Sequence, residues 1–113
     1  MTRLVLASGS TVRAKLLTGA GLTFDARPGG VDEGALKKSK TGMAAIDLAE
    51  VLARETARAI STDSMEALVI GADQILECEG QIYDKPVGEN GVRSHLRSLR
   101  GRVHRLVSAV CVA

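Results

Sequence analysis

Apolar and polar positions along the chain fall into short continuous runs separated by helical periods. Leu4, Val5 and Leu6 form one such run, residues 7–10 (ASGS) are small and mostly polar, and Leu16 and Leu17 follow at a spacing compatible with one helical face. The pattern predicts a buried strand, a tight loop and a helix whose first turn Ser10 or Thr11 can cap. Gly19 and Gly21 supply the helix stop, residues 22–26 (LTFDA) predict a second short strand, and Pro28, Gly29 and Gly30 end it in a loop. Residues 34–42 are polar and Lys-rich and read as a mobile connection. From Met43 the period changes: Ile46, Leu48, Ala49, Val51, Leu52, Ala53, Ala57 and Ile60 predict a long amphipathic helix, with Arg54, Glu55 and Arg58 on its wet side. Residues 61–64 (STDS) terminate it.

Residues 67–72 (ALVIGA) are the most strand-like run, and their lack of alternation predicts a strand covered on both faces. Residues 74–78 continue it, Glu79 and Gly80 read as a hairpin turn, and residues 81–83 return. Pro86 forces an extended approach through Asp84 and Lys85. A further helix over residues 90–99 carries Val92, Leu96 and Leu99 on its apolar side, and residues 103–113 predict a last, buried strand. A buried strand without a following cap or turn predicts a fold that is incomplete or assembled.

Composition narrows the function classes. At 113 residues the chain is one domain or part of one. Aromatic residues are 2% of the chain, Phe24 and Tyr83 alone, so the core must be built from Ala, Val, Leu and Ile, and base stacking of the kind used by many single-strand binders is disfavoured. A net charge of +2 is too small for a nucleic-acid surface. Cys78 and Cys111 are too few and too far apart for a disulfide scaffold or a zinc site, which fits a reducing cytoplasm. No apolar run reaches membrane-spanning length, and there is no signal-peptide pattern.

Candidate chemistry concentrates in loops. The first loop enters a helix N-terminus, where free N–H groups and the dipole favour anions, and Arg13 lies one turn in with a fork suited to phosphate. The alternative is an ordinary strand-to-helix connection whose serines merely cap. Neither a Walker A nor a GxGxxG motif is present to decide between them. Asp32 and Glu33 are adjacent carboxylates, readable as solvated acids near a helix start or as a metal site. Asp73 follows the central strand, where open α/β sheets place their chemistry. His95 reads as a surface helix residue, and His104 as structural or solvent-facing. Arg93, Arg97, Arg100, Arg102 and Arg105 read as a solvated basic face.

The segments LASGSTVRAKLL, VDE, GADQ, DKP and LRGRVHRLVSAV stand in one order and together resemble the Maf family of nucleoside triphosphate pyrophosphatases, known also as septum formation inhibitors. The resemblance runs from Arg3 to Ala113 and implies a single Maf-like α/β domain, incomplete at its C-terminus. It implies a mixed sheet flanked by helices, related to the inosine triphosphate pyrophosphatases. It further implies hydrolysis of the α–β phosphoanhydride of modified or pyrimidine nucleotides with Mg²⁺ or Mn²⁺. By the same resemblance Ser8, Ser10, Arg13 and Lys85 hold phosphate, Glu33 and Asp73 hold the metal, and Asp73 orients or deprotonates the attacking water. Gln74 resembles the residue of members acting on modified purines, and base preference stays open. Val12 and Thr56 stand where relatives carry an arginine and a lysine, which removes two cations from the phosphate side. With the missing C-terminal part, they support an alternative: a truncated, non-catalytic remnant that binds nucleotide or a partner. Exposed strand edges suit a homodimer.

Overall fold

The elements run β1 (Arg3–Leu6), α1 (Thr11–Gly19), β2 (Asp25–Ala26), α2 (Glu33–Ser39), α3 (Ala45–Ser61), β3 (Ala67–Cys78), β4 (Gln81–Tyr83), α4 (Gly88–Leu99) and β5 (Arg105–Val112). They are taken from a computed structural model that describes residues 3–28, 33–40, 42–62 and 66–113, with Glu33 and Gly34 described by backbone alone. The expected mixed sheet flanked by helices is present, with five strands. No helix among the described residues is long and apolar enough to cross a membrane.

Everything in the sheet is arranged on β3. Ile70 pairs both Leu6 of β1, in parallel, and Val112 of β5, antiparallel. Leu76 likewise pairs both Tyr83 of β4 and Leu106 of β5. A strand has only two edges, so β5 occupies one of them from Ile70 to Glu77, and β1 and β4 share the other at opposite ends. Between them, Gly71–Ile75 has no strand partner on the shared edge among the described residues. β2 extends the sheet beyond β1 and is tied there by Arg3, whose guanidinium meets the Asp25 carboxylate at 2.9 Å.

One face of β3 is covered by α3. The helix buries Ala45, Leu48, Ala49, Leu52, Ala53, Thr56, Ala57 and Ile60, the i, i+3, i+4 stripe expected of a helix on a sheet. Leu48, Leu52 and Ile75 form one cluster, and Val5, Ala57, Ile60 and Val69 another. Each large apolar side chain so buried contributes about 1.5–3 kcal/mol. Ile46, half exposed, falls off the stripe that the sequence pattern had placed it on. Between the clusters lies Gly71, where an added Cβ would stand 2.3 Å from the Ala53 carbonyl oxygen and 2.6 Å from the Ala57 nitrogen. Small residues on both elements therefore set the helix-to-sheet distance.

Three expectations need correction. β3 is not covered on both faces: its burial alternates, Leu68 is 47% exposed, and the face away from α3 stays open. β5 is likewise half open rather than buried, with Leu106, Val110 and Val112 exposed. Residues 34–42 are not simply a connection, because Glu33–Ser39 is the helix α2. Good helix formers such as Ala35, Leu36 and Lys37 permit it, and Leu36 packs against the α3 cluster. The Asp32 side of that segment lies outside the described residues.

The β3–β4 hairpin turns at Glu79 (φ 50°) and Gly80 (φ 83°), the left-handed pair a two-residue turn requires. Glu77 locks it, accepting from the Gly80 N–H at 2.7 Å and from Arg105 Nε at 2.8 Å. Arg102 bridges the Glu79 carboxylate at 2.7 Å and the Ser98 carbonyl at 2.9 Å, joining the end of α4 to the turn. Arg93 pairs with Glu89 at 2.7 Å. Arginines that read as a solvated cluster are thus partly used within the fold.

Two outcomes are expected. Gly71→Ala must push α3 off the sheet and should cost about 1–3 kcal/mol, read as a lower urea midpoint at unchanged slope. The Gly80 N–H, and then Arg105, hold the Glu77 carboxyl below its ordinary value of 4.5. Its stabilisation is therefore complete above that value and is lost as the pH falls through the depressed one. Glu77→Gln should remove that part of the acid-dependent loss in pH-resolved unfolding; an unchanged acid limb would contradict it.

Candidate functional site

The gap on the shared edge of β3 opens into a cleft of about 1060 Å³. Its floor is the open face of the β3–β5 ribbon, in three paired rows: Ala72 with Val110, Gln74 with Ser108, and Leu76 with Leu106. Val12, Arg13 and Leu16 of α1 line one side, and Tyr83, Asp84, Lys85 and His95 the other. Lys37 of α2 also reaches it, 3.8 Å from Asp84.

The topology explains why these residues meet. The Ala7 N–H donates to the Ile70 carbonyl at 2.9 Å, so β1 ends beside the start of the gap and residues 8–10 turn away into α1. β4 runs antiparallel from Cys78 toward Leu76, so Asp84 and Lys85 leave it heading toward the gap from the other end. Asp73 sits between the two, on the α3 face of the strand and only 6% exposed, yet it lines the cleft.

Within the first loop the hydrogen bonds make Ser10, rather than Thr11, the helix cap. Ser8 Oγ accepts from the Ser10 N–H at 3.0 Å, and Ser10 Oγ accepts from the Arg13 N–H at 3.2 Å, which makes Ser10 the N-cap of α1. A hydroxyl that accepts one bond still has its O–H to donate, so capping does not remove either serine as a donor to a ligand oxygen. The guanidinium of Arg13 and the ammonium of Lys85 have no carboxylate within ion-pair distance among the described residues, in contrast to Lys37. Among the described residues, two cations without a carboxylate partner and two hydroxyls therefore line the cleft, with the carboxylate of Asp73 buried beside them.

Ser8, Ser10, Arg13, Asp73 and Lys85, all named from sequence, line this one cleft. The Glu33 side chain lies outside the described residues, although the backbone of Glu33 opens α2, the helix that carries Lys37. Among the described residues no cluster of three His, Cys, Asp or Glu side chains could cage a metal. The donor chemistry nevertheless fits Mg²⁺, which is commonly held by one or two carboxylates plus substrate phosphate oxygens rather than by an all-protein cage. Val12 lines the cleft, 66% exposed. Thr56 does not; it lies on the buried face of α3, its hydroxyl without a hydrogen-bond partner among the described residues.

A profile of the family described as Maf-like protein matches residues 3–113. The chain belongs to the Maf family. Among its Maf relatives, the nucleoside triphosphate pyrophosphatase of Nitrobacter hamburgensis is 47% identical over 109 residues, covering 96% of this chain and 54% of the relative. A protein of the same name from Paramagnetospirillum magneticum is 44% identical over 108 residues, 94% of this chain and 56% of the relative. The 7-methyl-GTP pyrophosphatase of Rhizobium meliloti is 41% identical over 109 residues, 95% of this chain and 55% of the relative. The chain spans about half the length of the curated relatives it matches.

Two cleft residues were hidden to sequence reasoning for different reasons. Lys37 carried no signal, since its segment had no apolar period. His95 did carry one: Val92, His95, Leu96 and Leu99 fall at i, i+3, i+4 and i+7, which places the histidine on the inner side of α4. It is half-buried there, edge-on to Tyr83 with ring centroids 5.2 Å apart, rather than a plain surface residue.

Because α1 buries no residue, its first turn depends on the cap. Ser10→Ala should cost about 0.5–2 kcal/mol of local stability, seen as faster hydrogen exchange of the α1 amides; unchanged exchange at Arg13 would refute the capping role.

Proposed function

We propose that this Maf protein hydrolyses nucleoside triphosphates to monophosphate and pyrophosphate with a divalent metal, Mg²⁺ or Mn²⁺. The observation that carries the reading is the convergence of Ser8, Ser10, Arg13, Asp73 and Lys85, from three separate stretches, on the gap in β3. The relatives named nucleoside triphosphate pyrophosphatase and 7-methyl-GTP pyrophosphatase support the same substrate class. The free thiols Cys78 and Cys111 suit a cytoplasmic setting.

In this reading the hydroxyls of Ser8 and Ser10 donate to phosphate oxygens, and the first-turn N–H groups of α1 add the positive end of its dipole. Arg13 grips two oxygens at once, while Lys85 contributes a compact charge from the opposite wall. Asp73 and Glu33 would hold the metal, which supplies neutralisation of phosphate charge and a lowered pKa for its bound water. Asp73 orients the attacking water and accepts its proton as the water oxygen bonds to the α-phosphorus and pyrophosphate leaves. Burial of Asp73 removes competing solvent from that carboxylate.

The test is pyrophosphate release from a panel of nucleotides with Mg²⁺ or Mn²⁺. Asp73→Asn should lower turnover by about 10²-fold or more while the unfolding midpoint stays close to that of the parent. Metal-dependent nucleotide binding by folded protein without any pyrophosphate release would overturn the catalytic reading.

A further inference from the structure

The cleft is longer than a phosphate site requires, and its two ends differ in chemistry. From the Ala72–Val110 row beside the first loop to the Leu76–Leu106 row beside β4 is four residues of strand, or roughly 13 Å at the usual rise. The near end carries Ser8, Ser10 and Arg13 beside Val12, Leu16 and Val110, and no ring among the described residues. At the far end Leu76 and Leu106 form an apolar pair on the floor, Leu106 being 63% exposed, and Tyr83 pairs directly with Leu76.

Tyr83 is the only tyrosine of the chain and makes the one aromatic ring contact among the described residues, edge-on to His95 at an interplanar angle of 87°. Its hydroxyl is hydrogen-bonded to Ser98, one turn beyond His95 on α4. The tyrosine ring is thereby tethered before any ligand arrives, with the His95 ring packed against it, which lowers the entropic cost of packing a flat group there. A protein with so few aromatic residues has placed its sole tyrosine and a histidine beside the Leu76–Leu106 row, four strand residues from the row nearest Arg13, with Asp84 and Lys85 following on the same wall.

We propose that Tyr83 and His95, with Leu76 and Leu106, form the wall and floor on which the nucleobase packs while the triphosphate extends toward Arg13. The inference rests on the nucleotide reading above and adds the place of the base. Stacking tolerates any base with an exposed π face, so this wall supplies affinity for purines and pyrimidines alike, and finer selection falls to polar neighbours such as Gln74 and Ser108, joined at 3.1 Å.

The experiment compares the binding of α,β-methylene nucleoside triphosphates, one purine and one pyrimidine, with that of inorganic tripolyphosphate, all with Mg²⁺, by calorimetry. His95→Ala should weaken both nucleotide analogues by about tenfold and leave tripolyphosphate unchanged. His95→Phe should restore most of the lost affinity, because a ring face without nitrogens suffices for stacking. Leu106→Ser, at an exposed strand position, should show the same selective loss and guards against a His95→Ala variant that does not fold. Equal weakening of tripolyphosphate would overturn the proposal by making His95 a phosphate ligand, and so would no change in any of the three. If the parent protein binds tripolyphosphate but prefers neither nucleotide over it, the base wall fails while the phosphate site stands. If it binds none of them, the nucleotide reading itself fails.

Discussion

The organisation of this molecule depends on how β3 shares its edges. One edge is filled by β5 from Ile70 to Glu77, and the other is divided between two strands too short to meet. A twelve-residue strand held along one side keeps its shape across the interval that no described strand pairs on the other side. Backbone groups in that interval and the carboxylate of Asp73 are thus presented at a fixed place, and the chain ends leaving β1 and β4 are both aimed at it. Such a gap is a costly feature for a sheet, since unpaired edges invite other strands. Here the loop of residues 8–10 and the segment carrying Asp84 and Lys85 flank it instead.

The close contact at Gly71 supports the same arrangement from behind. Ala53 and Ala57 come so near the strand that only a residue without Cβ fits, and the larger side chains of α3 are displaced to clusters on either side. α3 therefore comes close to the stretch of β3 that no described strand pairs on the cleft edge. Rigidity lost on one edge is recovered from the helix face, and Asp73, two residues further on, is buried as a consequence. The alanines on the inner face of α3 and the missing Cβ of Gly71 are what allow this approach.

Elements whose cause is local were legible in the sequence. The i, i+3, i+4 stripe marked α3, the left-handed pair Glu79 and Gly80 marked the hairpin, and Ser10 marked the start of α1. What depends on distant partners was not. α2 exists where Leu36 finds the α3 cluster and Lys37 finds Asp84, neither of which a seven-residue Lys-rich stretch announces. The open faces of β3 and β5 were misread because continuous apolar runs occur both in doubly covered strands and in strands with one face left to a cleft. Ser8, Ser10, Arg13, Asp73 and Lys85 were found together through the order of their motifs, since the reason they meet is a register that no single segment encodes.

Charge also shapes what this cleft can hold. Arg13, Lys37 and Lys85 face Asp73 and Asp84, and Lys37 and Asp84 largely answer each other. Among the described residues that leaves Arg13 and Lys85 beside the buried carboxylate of Asp73, a set that attracts a polyanion. Val12 lines the cleft as an apolar residue, while Thr56 lies on the buried face of α3, away from the cleft walls. A carboxylate beside an incoming phosphate is repulsive unless a cation stands between them. In the proposed reaction a divalent ion accompanying the substrate would stand between Asp73 and the phosphate, offsetting that repulsion.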